Sequence, residues 1–234
     1  MSAVVTTPDR DPEMVRAMFG RVARRYRLAN AVLSGGLDAL WRRRAASIVA
    51  GWKPGTVLDL ATGSGDLARA IERRCPEAEV TGADFSAEML EVARGLGSRR
   101  LVQADALAMP FADGQFDALT VAFGLRNMAS WEGALREMAR VLRPGGHVLV
   151  LDFSVPRGPL RWLYRPYLHR VLPRLAGWLT GEAEAYRYLA ASIENFPSGA
   201  ALCRLMEGAG FRGAKAEPLT GGIVSLYTAE KSLA

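Results

Sequence analysis

The segment from Val57 to Ala68, VLDLATGSGDLA, constrains this chain more than any other stretch. Val57, Leu58 and Leu60 form a short β-rich apolar run, which is what a buried parallel strand needs. Gly63 and Gly65 follow, allowing backbone angles and a close ligand approach that a Cβ would block, and Asp66, Leu67 and Ala68 then open a helix. The spacing fits G-x-G-x-x-A, and an acid, Asp84, lies about twenty residues on, at the end of the next strand, where a ribose hydroxyl would be held. NAD and S-adenosylmethionine both satisfy that pattern. Asp59 separates them, because a carboxylate at this strand end repels a pyrophosphate but suits an ammonium or sulfonium group. Asp105, in LVQADALAMPF after a third strand, is placed to accept from an adenine amino group. Three acids on three successive strand ends favour a cationic cofactor with one nucleoside. The bland alternative is a glycine turn that merely joins a strand to a helix.

At 234 residues, half of them apolar (50%) and 23% charged, the chain has enough material for one large core without disulfide staples. Cys75 and Cys203 belong to no C-x-x-C pair, which predicts reduced thiols in a cytosolic protein. No apolar run approaches the roughly 18 residues of a spanning helix, and MSAVVTTPDRDPE lacks a basic-then-apolar export signal, so a cytoplasmic location is expected. The net charge of +6 permits an anionic partner, nucleic acid or membrane surface, but an arginine-rich composition gives the same value.

Val15, Met18, Phe19, Val22 and Tyr26 recur at helical spacing, and SGGLDALWRRRAASIV reads as a second amphipathic helix, so residues 1–52 are expected to form a helical cap. Strands and helices alternate through 53–156: Thr56–Leu60, a helix from Gly65, Val80–Asp84, a helix after Ser86, Leu101–Asp105, Phe116–Phe123, a helix through Trp131–Leu142, and His147–Phe153. Such alternation predicts an α/β, Rossmann-like fold with a mostly parallel sheet covered by helices. Residues 157–197 interrupt it as a helical lid, and 198–234 supply a helix and a closing strand pair, Phe211–Glu217 and Ile223–Glu230, leaving one antiparallel edge.

Ligands of doubly wound sheets sit outside the carboxyl ends of the strands, and the fourth strand here ends FDALTVAFGLRNM. It lacks the Asn/Asp-Pro-Pro-aromatic loop of methyltransferases that act on exocyclic amines. Arg126 near an aromatic hydroxyl would stabilise the phenolate that makes the adjacent ring carbon nucleophilic; otherwise it pairs with a neighbouring acid. Asn127 takes part in the site or caps the following helix.

The chain resembles the ubiquinone/menaquinone biosynthesis C-methyltransferases, through segments that run nearly end to end: VRAMFGRVARRY, LSGGLDALWRR, VLDLATGSGDLA, GADFSAEML, ADALAMPFADGQFDALTVAFGLRNM, EMARVLRPGG, LDFSVP, EAYRYLAASIENFP, MEGAGF and LTGGIVSLYTAEK. The glycine motif is shared with many methyltransferases, whereas FGLRN, YRYL…SI…FP and LTGGIV are narrower. The resemblance implies a class I S-adenosylmethionine-dependent methyltransferase fold with seven strands. It implies methyl transfer to a ring carbon of a prenylated hydroquinone, demethylmenaquinol to menaquinol by overall likeness, with the benzoquinol of ubiquinone biosynthesis as the alternative. By position, Asp59, Thr62, Gly63 and Gly65 would line the methionine end of S-adenosylmethionine, Asp84 the ribose hydroxyls, and Asp105 with Ala106 the adenine, and Phe85 is also expected to bind the cofactor. Arg126, Asn127 and Tyr26 are the expected catalytic residues. No metal is expected, since His147 and His169 belong to no ligand-like cluster.

Relatives tend to have Pro-Arg-Tyr-Asp where this chain has Arg24, Arg25, Tyr26 and Arg27, so a base replaces the acid, and Tyr26 reaches a quinol hydroxyl or simply packs with Phe19 and Val22. Ser64 stands where threonine is common. In the lid, Leu160, Leu163, Tyr164, Tyr167, Leu168, Val171, Leu172, Leu175 and Trp178 follow helical spacing, interleaved with Arg157, Arg161, Arg165, Arg170 and Arg174 and broken by Pro166 and Pro173. A basic, aromatic segment over 157–179 suits peripheral contact with anionic lipid, which a membrane-soluble substrate requires; its alternative is an ordinary packed lid with solvated arginines. An RNA methyltransferase would direct the same arginines at phosphates, and a cofactor-binding scaffold would keep the pocket without catalysis. No nucleic-acid partner is expected, and a homodimer is left open.

Overall fold

The computed structural model describes residues 34, 36–156, 158–172, 174 and 183–233, with the backbone alone for 183–187. The expected helix through Val15–Tyr26, the departure at Arg24–Arg27, and Arg157, Pro173, Leu175 and Trp178 lie outside the described residues.

Helix α1 (Leu37–Gly51) leads into β1 (Thr56–Leu60), α2 (Asp66–Arg74), β2 (Glu79–Asp84), α3 (Ala87–Gly95), β3 (Leu101–Gln103), β4 (Phe116–Ala122), α4 (Trp131–Val141) and β5 (Leu142–Phe153). Next come α5 (Leu160–Pro166), α6 (Ala183–Asn195), α7 (Ala200–Gly208), β6 (Phe211–Leu219) and β7 (Val224–Lys231). The seven strands form one sheet in the order β3-β2-β1-β4-β5-β7-β6. The first five are mutually parallel, and β7 runs antiparallel to both neighbours. The reversed strand β7 lies between β5 and the edge strand β6, and the short turn at Thr220–Gly222 makes β6 and β7 an antiparallel hairpin.

β1 is buried along Val57–Leu60, as a central strand covered on both faces must be, and this is why its sequence is an apolar run rather than an alternation. One side of the sheet packs with Trp131, Leu135 and Met138 of α4, the other with Trp41, Ala45 and Val49 of α1 and Leu67 and Ile71 of α2. Gly65 takes φ +76°, and a Cβ there would lie 2.4 Å from Ser98 Oγ, so packing at the start of α2 fixes this glycine.

Several boundaries differ from the sequence expectation by one or more residues. β3 stops at Gln103, and Asp105 lies two residues beyond it in an isolated bridge with Ala108, because the chain turns there: the Leu107 N–H donates to Asp105 Oδ1 at 2.9 Å. β5 begins at Leu142, which pairs with Phe116 before a register shift. The cap of α4 is Ser130, whose Oγ accepts from Gly133 N at 3.0 Å, so Asn127 does not cap that helix.

In the inserted segment, Pro166 ends α5 and a π-helical turn, Tyr167–Val171, follows. Tyr164, Leu168 and Leu172, one face at four-residue spacing, are buried against Ala190 and Ile193 of α6. Glu194 of α6 accepts from Arg165 Nε at 2.8 Å and lies 3.1 Å from His169 Nε2, tying the two pieces together.

Candidate functional site

The chain leaves β1 toward β2 on one side and β4 toward β5 on the other, so the carboxyl ends of these neighbouring strands open a crevice between them. Both ends turn sharply. Ala61 (φ +53°) and Phe123 (φ +61°) occupy the left-handed region that L-residues rarely adopt. Gly124 follows Phe123, and a Cβ on it would lie 2.5 Å from that of Ala61, so the two strand ends touch only because this side chain is missing.

A cavity of about 190 Å³ occupies the crevice. Of the residues expected from sequence, Asp59, Thr62, Gly63, Asp84, Phe85, Asp105, Ala106 and Asn127 line it together. Gly65 does not, its role being the packing described above, and Tyr26 lies outside the described residues. Asp59 is 1% exposed; its carboxylate accepts from Thr62 Oγ1 at 2.6 Å and Thr120 Oγ1 at 2.7 Å. Burial pushes its pKa up to about 6, against the pull of those hydroxyls. Asp84 accepts from the backbone N–H groups of Gly63 (2.8 Å) and Ser86 (3.0 Å), which bend the glycine turn around it. Desolvation raises its pKa as well. Asn127 receives the Tyr188 hydroxyl from α6 at 3.4 Å, which brings the inserted segment to the rim of the cavity.

Arg126 lines neither this cavity nor the one beside it. It is 3% exposed and paired at 2.8 Å with Asp152, which is fully buried; its Nη1 also donates to the Phe123 carbonyl, and its guanidinium lies 5.3 Å from the Phe153 ring centroid. This is the arrangement of an arginine paired with a neighbouring acid. It braces the turn after β4 against the end of β5, with the Arg126 N–H also donating to Asp152 at 3.2 Å. Burial pushes the Asp152 carboxyl up while Arg126 draws it back.

The second cavity, about 340 Å³, adjoins the first and shares Arg42 and Phe123 with it. Its walls are mostly apolar, with Leu37 and Trp41 from α1, Tyr164 and Leu168 from the inserted segment, and Ile193 from α6, and they also carry Asp38 and Arg42. The reading of LDALWRR as an amphipathic helix gave no sign that Arg42 reaches the site. The signal available was the pair Asp38 and Arg42, four residues apart on the face that also carries Trp41. Phe123, too, gave no sequence signal, since it read as the last residue of a strand. His147 stacks on Trp52, ring centroids 4.7 Å apart, and lines neither cavity.

The lining of the first cavity matches S-adenosylmethionine by charge. Asp59, Asp66, Asp84 and Asp105 offer carboxylates to an ammonium, a sulfonium and ribose hydroxyls, and Arg42 is the one cation among the described lining residues. Among the described residues, no cluster of three His, Cys, Asp or Glu could hold a metal ion.

Comparison with known proteins agrees. Residues 7–231 match the ubiE/COQ5 methyltransferase family. The chain is 47% identical over 220 residues to "Demethylmenaquinone methyltransferase" of Thermus thermophilus, covering 92% of this chain and all (100%) of that one. It is 45% identical to "Ubiquinone/menaquinone biosynthesis C-methyltransferase UbiE" of Syntrophotalea carbinolica, over 93% of this chain and 94% of the relative. Among solved structures, a SAM-dependent methyltransferase of Thermotoga maritima superposes with a TM-score of 0.66 at 20% identity, covering 92% of this chain and 99% of that one. Human N-acetylserotonin methyltransferase in complex with SAM does so at 0.62 and 20% identity, covering 92% of this chain and 59% of that one. The fold is thus that of the S-adenosylmethionine-dependent methyltransferases, and the chain belongs to the ubiE/COQ5 methyltransferase family.

Proposed function

We propose that this protein transfers the methyl group of S-adenosylmethionine to a ring carbon of demethylmenaquinol, giving menaquinol in menaquinone biosynthesis. The observation that carries the reading is the pairing of an acid-lined cavity with a larger apolar one that meets it at Arg42 and Phe123. The names of relatives 41–47% identical to the chain support the same acceptor.

Bound S-adenosylmethionine supplies an electrophilic methyl on a sulfonium. Asp59 orients the methionine ammonium, Asp84 the ribose hydroxyls, and Asp105 with Ala106 the adenine. Thr62 and Thr120 hold the Asp59 carboxylate in place, so its charge is positioned before the ligand arrives. Asn127 lines the cofactor cavity and is held by the Tyr188 hydroxyl. The apolar cavity takes the ring and the first part of the prenyl tail and keeps water away from the reacting carbon. Arg126, locked to Asp152, acts here as a positioning residue for the turn after β4.

A prenylated substrate resides in lipid, and the second cavity opens where a bilayer could be met. Leu163, which lines it, is 74% exposed, beside Trp162 at 83%, and Arg161 and Arg165 flank them. No helix among the described residues is long and apolar enough to cross a membrane, so contact would be peripheral. Methyl transfer from labelled S-adenosylmethionine to chemically reduced demethylmenaquinone in detergent, beside a demethoxyubiquinol analogue, tests the reading. Label in the naphthoquinol is expected; no label in either quinol despite cofactor binding contradicts it.

A further inference from the structure

Methylation of a hydroquinone carbon requires a group that takes the ring's hydroxyl proton, and the second cavity contains a carboxylate that the cofactor motifs do not use. Asp38 and Arg42 lie one turn apart on α1, Arg42 Nη1 donating to Asp38 Oδ2 at 2.5 Å, while the Ser34 hydroxyl donates to Asp38 Oδ1 at 3.1 Å. A pair at this spacing is ordinarily a solvated surface device contributing a few tenths of a kcal/mol. Here the side chains are 18% and 13% exposed and line an apolar cavity. Arg42 also reaches the cofactor cavity, its guanidinium 5.3 Å from the Phe123 ring centroid. Its fork has further N–H groups beyond the one given to Asp38, and among the described residues no other hydrogen bond engages them.

The other groups facing this end of the cavity do not compete for the proton. Tyr164 and Tyr167, from the inserted segment, have phenols that burial pushes up, so they stay neutral. Thr220 is engaged as acceptor by the Trp41 indole at 2.9 Å. Asp59, on the cofactor side of Arg42, is held by two threonine hydroxyls. Behind the Phe153 wall, Arg126 and Asp152 neutralise each other.

We infer that Asp38 accepts the proton of the substrate's aromatic hydroxyl and that Arg42 holds the resulting phenolate oxygen beside the transferable methyl, an inference that rests on the quinol reading above. In the step, the O–H bond breaks and its proton passes to the Asp38 carboxylate. The freed electron pair, delocalised into the ring, forms a carbon–carbon bond from the adjacent ring carbon to the methyl while the methyl–sulfur bond breaks and sulfur keeps its pair. That ring carbon then carries both hydrogen and methyl. It loses the hydrogen to water as a proton, and the oxygen recovers the proton from Asp38, restoring the aromatic ring and the carboxylate with one proton released overall. Arg42 suits the oxyanion because it cannot give up its own proton and is already oriented by Asp38.

The test compares the full-length protein with Asp38→Asn, which keeps size and hydrogen bonding but cannot take a proton, Asp38→Glu and Arg42→Lys. Thermal unfolding establishes that each is folded; S-adenosylmethionine affinity is read by calorimetry, and kcat on reduced demethylmenaquinone is read across pH. Asp38→Asn is expected to lower kcat by about 100-fold or more, to leave cofactor affinity within about twofold, and to remove the acid limb of the kcat profile. Asp38→Glu recovers part of the rate with that limb restored, and Arg42→Lys lowers kcat while retaining the limb. Wild-type kcat and an intact acid limb in Asp38→Asn overturn the inference. So does a loss confined to cofactor affinity in Arg42→Lys and Asp38→Asn, which would make the pair a clamp for the cofactor's carboxylate. Should the wild-type protein itself label no quinol, the functional reading fails and the inference with it.

Discussion

The two cavities meet at Arg42 and Phe123, yet they are written into the chain in opposite ways. The cofactor cavity is assembled from contiguous runs at strand ends, Asp59–Ser64, Asp84–Ser86 and Asp105–Leu107, each positioned by the sheet. The apolar cavity draws on α1 and, more than a hundred residues later in the chain, on α5, α6 and the turn before β7. A polar ligand demands a given side chain at a given backbone position, because a misplaced donor or charge costs more than it gains. An apolar ligand demands volume, which many sequences supply equally well.

The junction is the place to break this comparison. Asp152→Ala leaves Arg126 buried without its partner and is expected to destabilise the protein by about 3–5 kcal/mol, read from urea unfolding. A shift below about 1 kcal/mol would mean that the pair does not brace the shared wall. Gly124→Ala drives a Cβ to 2.5 Å from that of Ala61, and the strand ends must separate; the expected cost is about 1–3 kcal/mol, accompanied by weaker cofactor binding in calorimetry. Unchanged binding would show that the contact between the strand ends is incidental to the cofactor cavity.

A pH titration sharpens the comparison, since the cofactor cavity holds a buried carboxylate, Asp59, whose pKa burial raises. The folded pKa of Asp59, about 6, lies above its ordinary value, so the folded protein binds the proton more tightly than the unfolded chain. The Asp59 contribution to stability of the ligand-free protein is therefore present at low pH and is lost as pH rises from about 4 through about 6. Cofactor affinity runs the other way, because the ammonium needs the ionised carboxylate. At pH 5 roughly a tenth of Asp59 is ionised, and affinity is expected to be about tenfold weaker than at pH 7, or about 1.4 kcal/mol. Asp59→Asn should flatten that dependence. Persistence of the full slope in the variant would transfer the effect to Asp84.

The smallest expected effect on stability lies at the open end of the apolar cavity. Trp162→Ser removes a side chain 83% exposed and should change unfolding free energy by less than about 0.5 kcal/mol. Sedimentation with anionic vesicles is expected to show weaker binding for the variant, and equal binding would remove this face from the membrane contact.

What could be read from sequence follows the same division. The parallel character of the sheet and the acids at the crevice were legible, because a glycine turn after an apolar run admits few structures. Arg126 was legible as a special residue but not its partner: Asp152 lies 26 positions away, after the apolar run Val148–Leu151 of β5, and the β4–β5 register brings the two together. Asp38 and Arg42 were hidden for another reason. An acid and a base one turn apart on a helix look like a solvated pair, whereas here they line a cavity together with residues of the inserted segment. Asp105 held its place in the lining although β3 ended two residues early, since its own side chain shapes the turn.

The central claim is that the apolar cavity, and not another surface, receives the acceptor next to the cofactor. A photoactivatable azide on the first prenyl unit of a naphthoquinone, irradiated with the protein and S-adenosylhomocysteine and mapped by peptide mass spectrometry, tests it directly. Adducts confined to Trp41 and to the segment Leu160–Leu172 are the predicted result, competed away by unlabelled demethylmenaquinone. Adducts elsewhere, or adducts that the quinone does not compete, would contradict the account.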